Sequence, residues 1–455
     1  MSRGMIQMVE LIDEISMGPF GSDITVDNYV SSGVPVLNGS NISGVKLTEN
    51  FENYLTPEKA KSLKKANAKR GDIVITHRGT LGQISYIPYD SKRENYVISQ
   101  SQFRVSLKTD LVDPIYFTYY FHSTEGQKRL LSFKNHVGVP ALAQATTNFR
   151  LLEFPYRPLK EQKAIAKILS DLDSKISLNN RINQELEAMA KLIYDYWFVQ
   201  FDFPDDNGKP YKSSGGKMVY NEQLKRAIPE GWGDGTFEDI GEIVGGSTPS
   251  RSIDENFTVG DGTPWITPND LSNNTGNKYI TRGEFDATDL GVKDASLRKM
   301  PPGTILLTSR APIGYTAIAR EETTTNQGFK SIVPSKGYST EYTYYTVRLY
   351  IKAMIQYASG STFKEISGGT LRTIKISVPP KELVISFTDK VESIFKKQDI
   401  LEKENQKLSE LRDWLLPMLM NGQVTVGEAK DYVQESEVRM AAEPTSAGKE
   451  GGGYG

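Results

Sequence analysis

The chain writes one local pattern twice. GDIVITHRGTLG begins at Gly71 and GTILLTSRAPIG begins at Gly303, 232 residues further on. Each places a Gly ahead of an apolar run, a Thr and an Arg at matching positions, and a closing Gly. A period of half the chain means a duplicated domain and not a stacked array of short repeats. The copies continue in order. VELIDEISMG at Val9 matches FEDIGEIVGG at Phe237, and SGVPVLNGSNIS at Ser32 matches DGTPWITPNDLS at Asp261. VISQSQFRV at Val97 matches TTNQGFKSI at Thr324, and GVPALAQATTNFR at Gly138 matches GSTFKEISGGTLR at Gly360. The offset drifts by ten residues, to 222, in the helical segments that follow. Loops that differ in length on a shared scaffold account for that drift.

Within each copy, DIVIT, QISYIP, TILLT and YTAIA have the length and β-branched content of strands. YFTYYFHSTEGQKRLLSF and EYTYYTVRLYIKAMIQYA each read as one amphipathic helix. The expected architecture is two similar α+β domains, at 1–157 and 229–379.

Two stretches of about forty residues follow these domains, at 158–201 and 380–421. Neither has an interior Gly, and at that length a helix spans roughly 60 Å. The first keeps 4–3 spacing through Ile165, Leu169, Leu172, Ile176, Asn179, Asn183, Leu186, Ala190, Ile193 and Trp197. The second keeps it through Phe387, Val391, Ile394, Gln398, Leu401, Asn405 and Leu408. That is the seam of a coiled coil. The 222-residue offset carries Asn183 onto Asn405, so a polar seam residue that fixes register occurs in both helices. The expectation is an antiparallel pair around a pseudo-twofold axis, a rod with one domain at each end. A linker at 202–228, rich in Gly, Lys, Ser and Asp, gives the chain room to cross over, and 422–455 reads as a disordered tail. A rod that holds two domains at a set separation suits duplex DNA, where two half-sites face one way only at certain spacings.

Composition removes other classes. There are no cysteines, hence no disulfide or thiolate metal site. No run of eighteen apolar residues and no signal-like start occur, so a cytoplasmic protein is expected, with no membrane partner. The net charge of −2 does not advertise nucleic acid, although the stretch from Gly427 onward, with six acidic and three basic residues, masks the balance of the rest. No [ND]PP[YF] tetrapeptide, phosphate loop or HExxH motif is present.

The coil entry PLKEQKAIAKILSDLDSKI, the coil exit LIYDYWFVQFDF, the IPEGW at Ile228, the paired GDIVIT and GTILLT segments and the NQGF at Asn326 resemble the specificity subunit of type I restriction–modification enzymes. The resemblance runs to about Gly422. The first half lacks an IPEGW start, and the second coil entry, PPKELVISF, lacks the EQ…IA pattern. The resemblance implies a non-catalytic DNA reader whose two target recognition domains recognise a split double-stranded sequence. It further implies two modification (methyltransferase) subunits as partners, with restriction (translocase/endonuclease) subunits able to join. S-adenosylmethionine, ATP and Mg are then expected on those partners and not on this chain. The rivals are a methyltransferase fused to its reader and an adaptor whose twin domains bind other proteins.

Side chains suited to base edges or phosphates recur on the loops of both halves. In the first half they are Ser22, Asn38, Ser40, Asn41, His77, Arg78, Thr80, Ser99, Gln100 and Gln102. In the second they are Thr248, Ser250, Arg251, Thr267, Asn269, Ser309, Arg310, Asn326, Gln327 and Lys330. Lys134, Arg251 and Lys364 are candidates for phosphate. Each has a structural reading beside the functional one. Arg78 and Arg310 are equally suited to pairing with a carboxylate in both domains, and Gln100 and Gln327 to capping strand ends. Asn38 and Asn41 suit a turn, and Asn269 a helix cap. The aromatic coil exit, Tyr194, Tyr196, Trp197 and Phe198, reads either as core or as a docking surface for a modification subunit. Trp414 and Leu415 are its counterparts in the second helix.

Overall fold

Gly71 and Gly303 lead the repeated motif with φ of +88° and +85°, a left-handed turn that costs an L side chain about 1–2 kcal/mol. The strands that follow, Ile73–Thr76 and Ile305–Leu307, are buried along their whole length. This computed structural model describes residues 4–135, 139–310, 312–358 and 364–442. The chain divides into two compact units, the first Met1–Ile176 with Gln406–Gly455, the second Ser177–Asn405.

Each unit builds the same α+β scaffold. In the first, Ile12–Met17, Gln102–Leu107, Ile73–Thr76 and Ile84–Tyr86 lie side by side in that order. In the second, Gly241–Gly245, Lys330–Pro334, Ile305–Leu307 and Thr316–Ala319 do the same, and Tyr279–Ile280 adds an edge. Val105 stands opposite Ile15 and Ile73, as Ile332 stands opposite Ile243 and Ile305. These aliphatic rows pin the register, because a slip of one residue would turn each row to the other face. A second sheet in each unit contains a parallel pair, Val36 beside Val97 in one and Trp265 beside Thr324 in the other. A two-stranded ribbon ties the start of each domain to the strand that feeds the long helix, Met5–Gln7 with Glu153–Pro155 and Gly233–Gly235 with Ile376–Val378.

The helix expected from YFTYYFHSTEGQKRLLSF is two helices, Pro114–His122 and Thr124–Leu130. Ser123 between them is extended, and its side chain caps the second by accepting from Gly126 N at 3.2 Å. Its counterpart Thr340–Tyr357 is continuous.

The long helices run Leu159–Tyr194 and Lys381–Asn421. Every seam position of the 4–3 pattern is buried or half-buried. Within each unit the two helices are antiparallel. In the first, the Arg157 guanidinium donates to the carbonyls of Leu419 and Met420 at 2.7 and 2.9 Å, while Asp173 pairs with Arg412 at 2.7 Å. In the second, Asn179 meets Glu404 at 2.8 Å, Gln398 donates to the Asn183 carbonyl at 3.2 Å, and the Phe387 ring packs 6.0 Å from Tyr194. Asn183 and Asn405 are both buried at the seam. Asn405 donates to Asn180 Oδ1 at 2.7 Å, but among the described residues the amide oxygens of Asn183 and Asn405 accept no hydrogen bond.

In the second unit a buried lysine joins the reader domain to the helices. The Lys278 side chain is 3% exposed, with its ammonium 2.6 Å from Glu187 and 3.6 Å above the Phe395 ring. It also donates to Gln398 Oε1 at 2.7 Å. Burial pushes the ammonium down to about 8 against the pull of Glu187 and Glu402. Burial also pushes Glu187 upward, yet Lys278 and Arg348 together hold its carboxyl below the usual value. Beside them Glu402 accepts from the amides of Lys278 and Tyr279, and Arg320 bridges Asp399 and Glu402 at 2.5 and 2.8 Å.

Three expectations change. The first helix ends at Tyr194 and continues as a single wider turn, Asp195–Val199, instead of running to 201. The stretch 202–228 is folded. Asp202 accepts from the Ser213 amide and hydroxyl, both at 2.7 Å, Phe203 stacks on Tyr211 and Trp232, and Met218–Asn221 pairs with Arg226–Pro229. The supposed tail from 422 forms a helix, Val426–Ala442, because Val424 and Ala429 are buried in the core of the first unit. Residues 443–455 lie outside the described residues. Among the described residues no helix is long and apolar enough to cross a membrane.

Candidate nucleic-acid interface

One set of main-chain hydrogen bonds gathers the candidate loops in both units. In the first, Gly18 N donates to Gln102 O at 2.8 Å, His77 N to Ser101 O at 2.9 Å, and Leu142 N to His77 O at 2.8 Å. In the second, Ser247 N donates to Thr325 O at 3.0 Å, Ser309 N to Gly328 O at 2.7 Å, and Ile366 N to Ser309 O at 3.0 Å. The loop after the first sheet strand, the loop after the repeated motif, the strand-entry loop and a late loop therefore meet at one edge of the scaffold, twice. The backbone arrangement is shared and the side chains it displays are not.

In the first unit the cluster borders a cleft of about 1240 Å³. Ser22, His77, Arg78 and Gln100 line it, together with Lys59, Lys64, Lys65 and Thr146. Arg78, Thr80 and Gln100 are exposed and Ser99 is half-buried. His77 Nε2 lies 3.1 Å from the Gln100 carbonyl. Burial pushes the imidazole below its ordinary value, although that carbonyl favours the cation. His77 is therefore neutral near pH 7 and donates through Nε2 to hold the loop. Asn38 accepts from Ser40 N at 2.9 Å and so caps the turn Gly39–Ile42, with Ser40 exposed beside it. Lys134 is exposed on the late loop.

In the second unit Thr248 bonds Gln327, tying two reading loops together. Ser250 N donates to Asp294 at 2.7 Å, and Arg251 is exposed at the lip of an aromatic recess of about 350 Å³ lined by Phe257, Trp265 and Phe285. Asn326 accepts from Gly328 N at 2.8 Å. Arg310 pairs with Glu365 at 3.6 Å. Lys330 is half-buried beside them. Burial pushes its ammonium down, with Glu365 opposing and Arg310 adding to the shift. Thr267 caps Pro268–Asn273 by accepting from Asp270 N at 3.4 Å. The cap is thus Thr267 and not Asn269, which is exposed on the first turn. Lys364 is exposed.

Five candidates do not face a ligand. Asn41 is fully buried and its amide donates to the carbonyls of Thr48 and Asn50 at 3.1 and 2.8 Å, bracing the loop from within. Gln102 is buried and accepts from Ser99 N at 2.9 Å at the strand entry. Ser309 is buried where its main chain joins two loops. Trp197 and Phe198 are core of the second unit, packed on Phe387 at 6.1 and 5.1 Å, so they are not free to dock a partner. Tyr196 and Trp414 remain 37% and 40% exposed, and Trp414 meets Tyr432 edge-on at 4.9 Å. The residues missed by pattern reading are Lys59, Lys64 and Lys65. Their signal was present in the basic run KAKSLKK.

A sequence profile described as "Type I restriction modification DNA specificity domain" matches residues 27–188 and again 229–411. The chain is 46% identical over 200 residues to the type I restriction enzyme MjaIX specificity subunit of Methanocaldococcus jannaschii. That stretch is 42% of this chain and 45% of that protein, so it spans less than half of the relative. Identity to the type I restriction enzyme HindI specificity subunit of Haemophilus influenzae is 27% over 409 residues, covering 78% of this chain and 87% of that one. The crystal structure of a type I restriction–modification system S subunit from M. genitalium shares the fold, with a TM-score of 0.57 at 16% identity over 92% of this chain and 96% of that chain.

Proposed function

Because the chain belongs to the family of type I restriction–modification DNA specificity domains, we propose that each of its two loop clusters reads one half of a bipartite double-stranded DNA target. The observation that carries this is the repeated backbone wiring with altered side chains. Main-chain geometry presents the loops alike, while Ser22, Arg78, Thr80 and Gln100 in one unit, and Arg251, Arg310 and Gln327 in the other, offer different donors and acceptors. Base edges are distinguished by such patterns, and loops on rigid scaffolds commonly carry recognition.

In this reading the paired helices set the distance between the half-sites, with Asn183 and Asn405 holding the register. Two modification subunits dock on the chain and restriction subunits can join, with the exposed Tyr196 and Trp414 as contact candidates. The chain contributes recognition and no chemistry. S-adenosylmethionine, ATP and Mg stay with the partners.

The test is selection from a random duplex pool by the full chain purified with its modification subunits. A split motif is expected. Exchanging the reading loops of the second unit, 246–251 and 326–330, should alter one half of that motif and leave the other. Enrichment of no split motif would favour the adaptor reading, and a change in both halves would rule out two independent readers.

A further inference from the structure

The two loop clusters differ most beside their shared parts. In each unit a strand, Asn53–Leu55 or Phe285–Ala287, runs into a Thr-capped helical turn at the edge of the cluster. Thr56 accepts from Lys59 N, and Thr288 from Gly291 N, both at 3.2 Å. The helices Pro57–Ser62 and Asp289–Asp294 are thus the same element, and their surroundings carry opposite chemistry.

In the first unit, residues 57–66 hold Lys59, Lys61, Lys64 and Lys65 against one acid, Glu58. Among the described residues none of these four ammonium groups makes an ion pair. Lys59, Lys64 and Lys65 line the same cleft as Ser22 and Arg78. Of the two acids there, Glu14 is taken by Arg104 at 2.5 Å and Asp23 by the Phe20 amide at 2.9 Å. In the second unit the same segment has been neutralised. Asp294 accepts from Ser250 N and from Asn256 at 2.7 and 3.1 Å, bracing a reading loop. Arg298 pairs with Glu242 at 2.9 Å and Lys299 with Glu322 at 3.2 Å.

We propose that Lys59, Lys64 and Lys65 grip the backbone phosphates of duplex DNA in the first unit, and that the matching segment of the second unit, 289–299, makes no equivalent grip. This rests on reading the loop clusters as a DNA interface. Lys64 and Lys65 are exposed and Lys59 is half-buried, and ammonium groups without an ion pair along a cleft suit phosphate, which takes Lys as a point charge without sequence information. The two half-sites then contribute differently. The first supplies the larger share of salt-sensitive, sequence-independent affinity, and the second depends more on the fit of its bases.

The experiment measures duplex binding by the full chain with its modification subunits, from about 50 to 200 mM salt, on a random-sequence duplex and on a pool-enriched duplex. Each phosphate deprived of its cation lowers the slope of log K against log salt by about 0.9. Lys59→Gln, Lys64→Gln and Lys65→Gln together should therefore lower it by about 2.7, narrowing the gap from wild type by about fortyfold across that range, equally on both duplexes. Lys→Arg at the same three positions should keep the wild-type slope. Lys293→Gln with Arg298→Gln in the second unit should move it by less than about one. An unchanged slope in the triple Gln variant, with wild type still bound, overturns the grip alone. A loss of about one or more from the second-unit pair, up to the roughly 1.8 that two lost phosphate contacts give, overturns the asymmetry. Absence of duplex binding by the wild-type complex overturns the DNA reading itself.

Discussion

Lys278 gives the sharpest energetic test. Its ammonium is 3% exposed, whereas its partner Glu187 is 26% exposed and keeps a second cation, Arg348, at 2.8 Å. Removing one member or the other should therefore have very unequal effects. Lys278→Met deletes a charge whose burial has moved its pKa from the ordinary value to about 8. At 1.36 kcal/mol per unit, that burial opposes folding by about 3 kcal/mol near neutral pH. That figure is already net of the attraction to Glu187; losing the contact with the Phe395 ring face offsets part of it, so Lys278→Met should be neutral or stabilising by up to about 3 kcal/mol. Glu187→Gln instead leaves the ammonium buried without its carboxylate, and should cost about 3 kcal/mol or more. The pH dependence has a definite sign. The unfolded chain holds this proton more tightly than the folded one, so the penalty is full below about pH 8 and fades towards the unfolded pKa. Stability should rise by about 2 kcal/mol from pH 7.5 to 9.5, and Lys278→Met should abolish that rise. Of the four tryptophans, Trp197, Trp232 and Trp265 lie in the second unit and Trp414 in the first. Urea unfolding followed by tryptophan fluorescence in a Trp414→Phe background thus reports on the second unit. Equal losses for the two variants, or a flat wild-type profile over that range, would refute the reasoning.

Three further outcomes are expected. Asn41→Ala should lower the melting stability of the first unit by about 1–3 kcal/mol, because it strands the Thr48 and Asn50 carbonyls, while leaving the selected DNA sequence unchanged; Gln100→Ala should leave melting unchanged and relax base preference in one half-site. Asn183→Leu should raise stability in urea by about 1 kcal/mol, since a buried amide oxygen without a partner is removed, and a fall of that size would show the seam position to be satisfied.

The scaffold was legible because it is written twice. A Gly before a β-branched run means the same turn and strand at Gly71 and Gly303, and 4–3 spacing survives any loop change. The reading loops were located for the same reason, but which of their polar residues face outward was not. Asn41, Gln102 and Ser309 look like readers in sequence, because local composition does not tell a turn's inner brace from its displayed tip. The break at Ser123 depends on a serine that can either continue a helix or cap a new one. The helix Val426–Ala442 was hidden by its acidic residues, although Val424 and Ala429 are what fix it in place. Lys278 gave no local signal. Its partners come from three separate helices, at Glu187, Tyr345 and Gln398.

The make-up of the two units bears on synthesis. The second is one uninterrupted stretch, Ser177–Asn405, whereas the first needs residues from either side of that stretch, including Leu408, Leu415 and Leu419 in its core. Domains usually complete in the order they leave the ribosome. Here the portion translated first must wait for residues beyond Asn405 before its apolar interior can be sealed, and the second unit can close ahead of it.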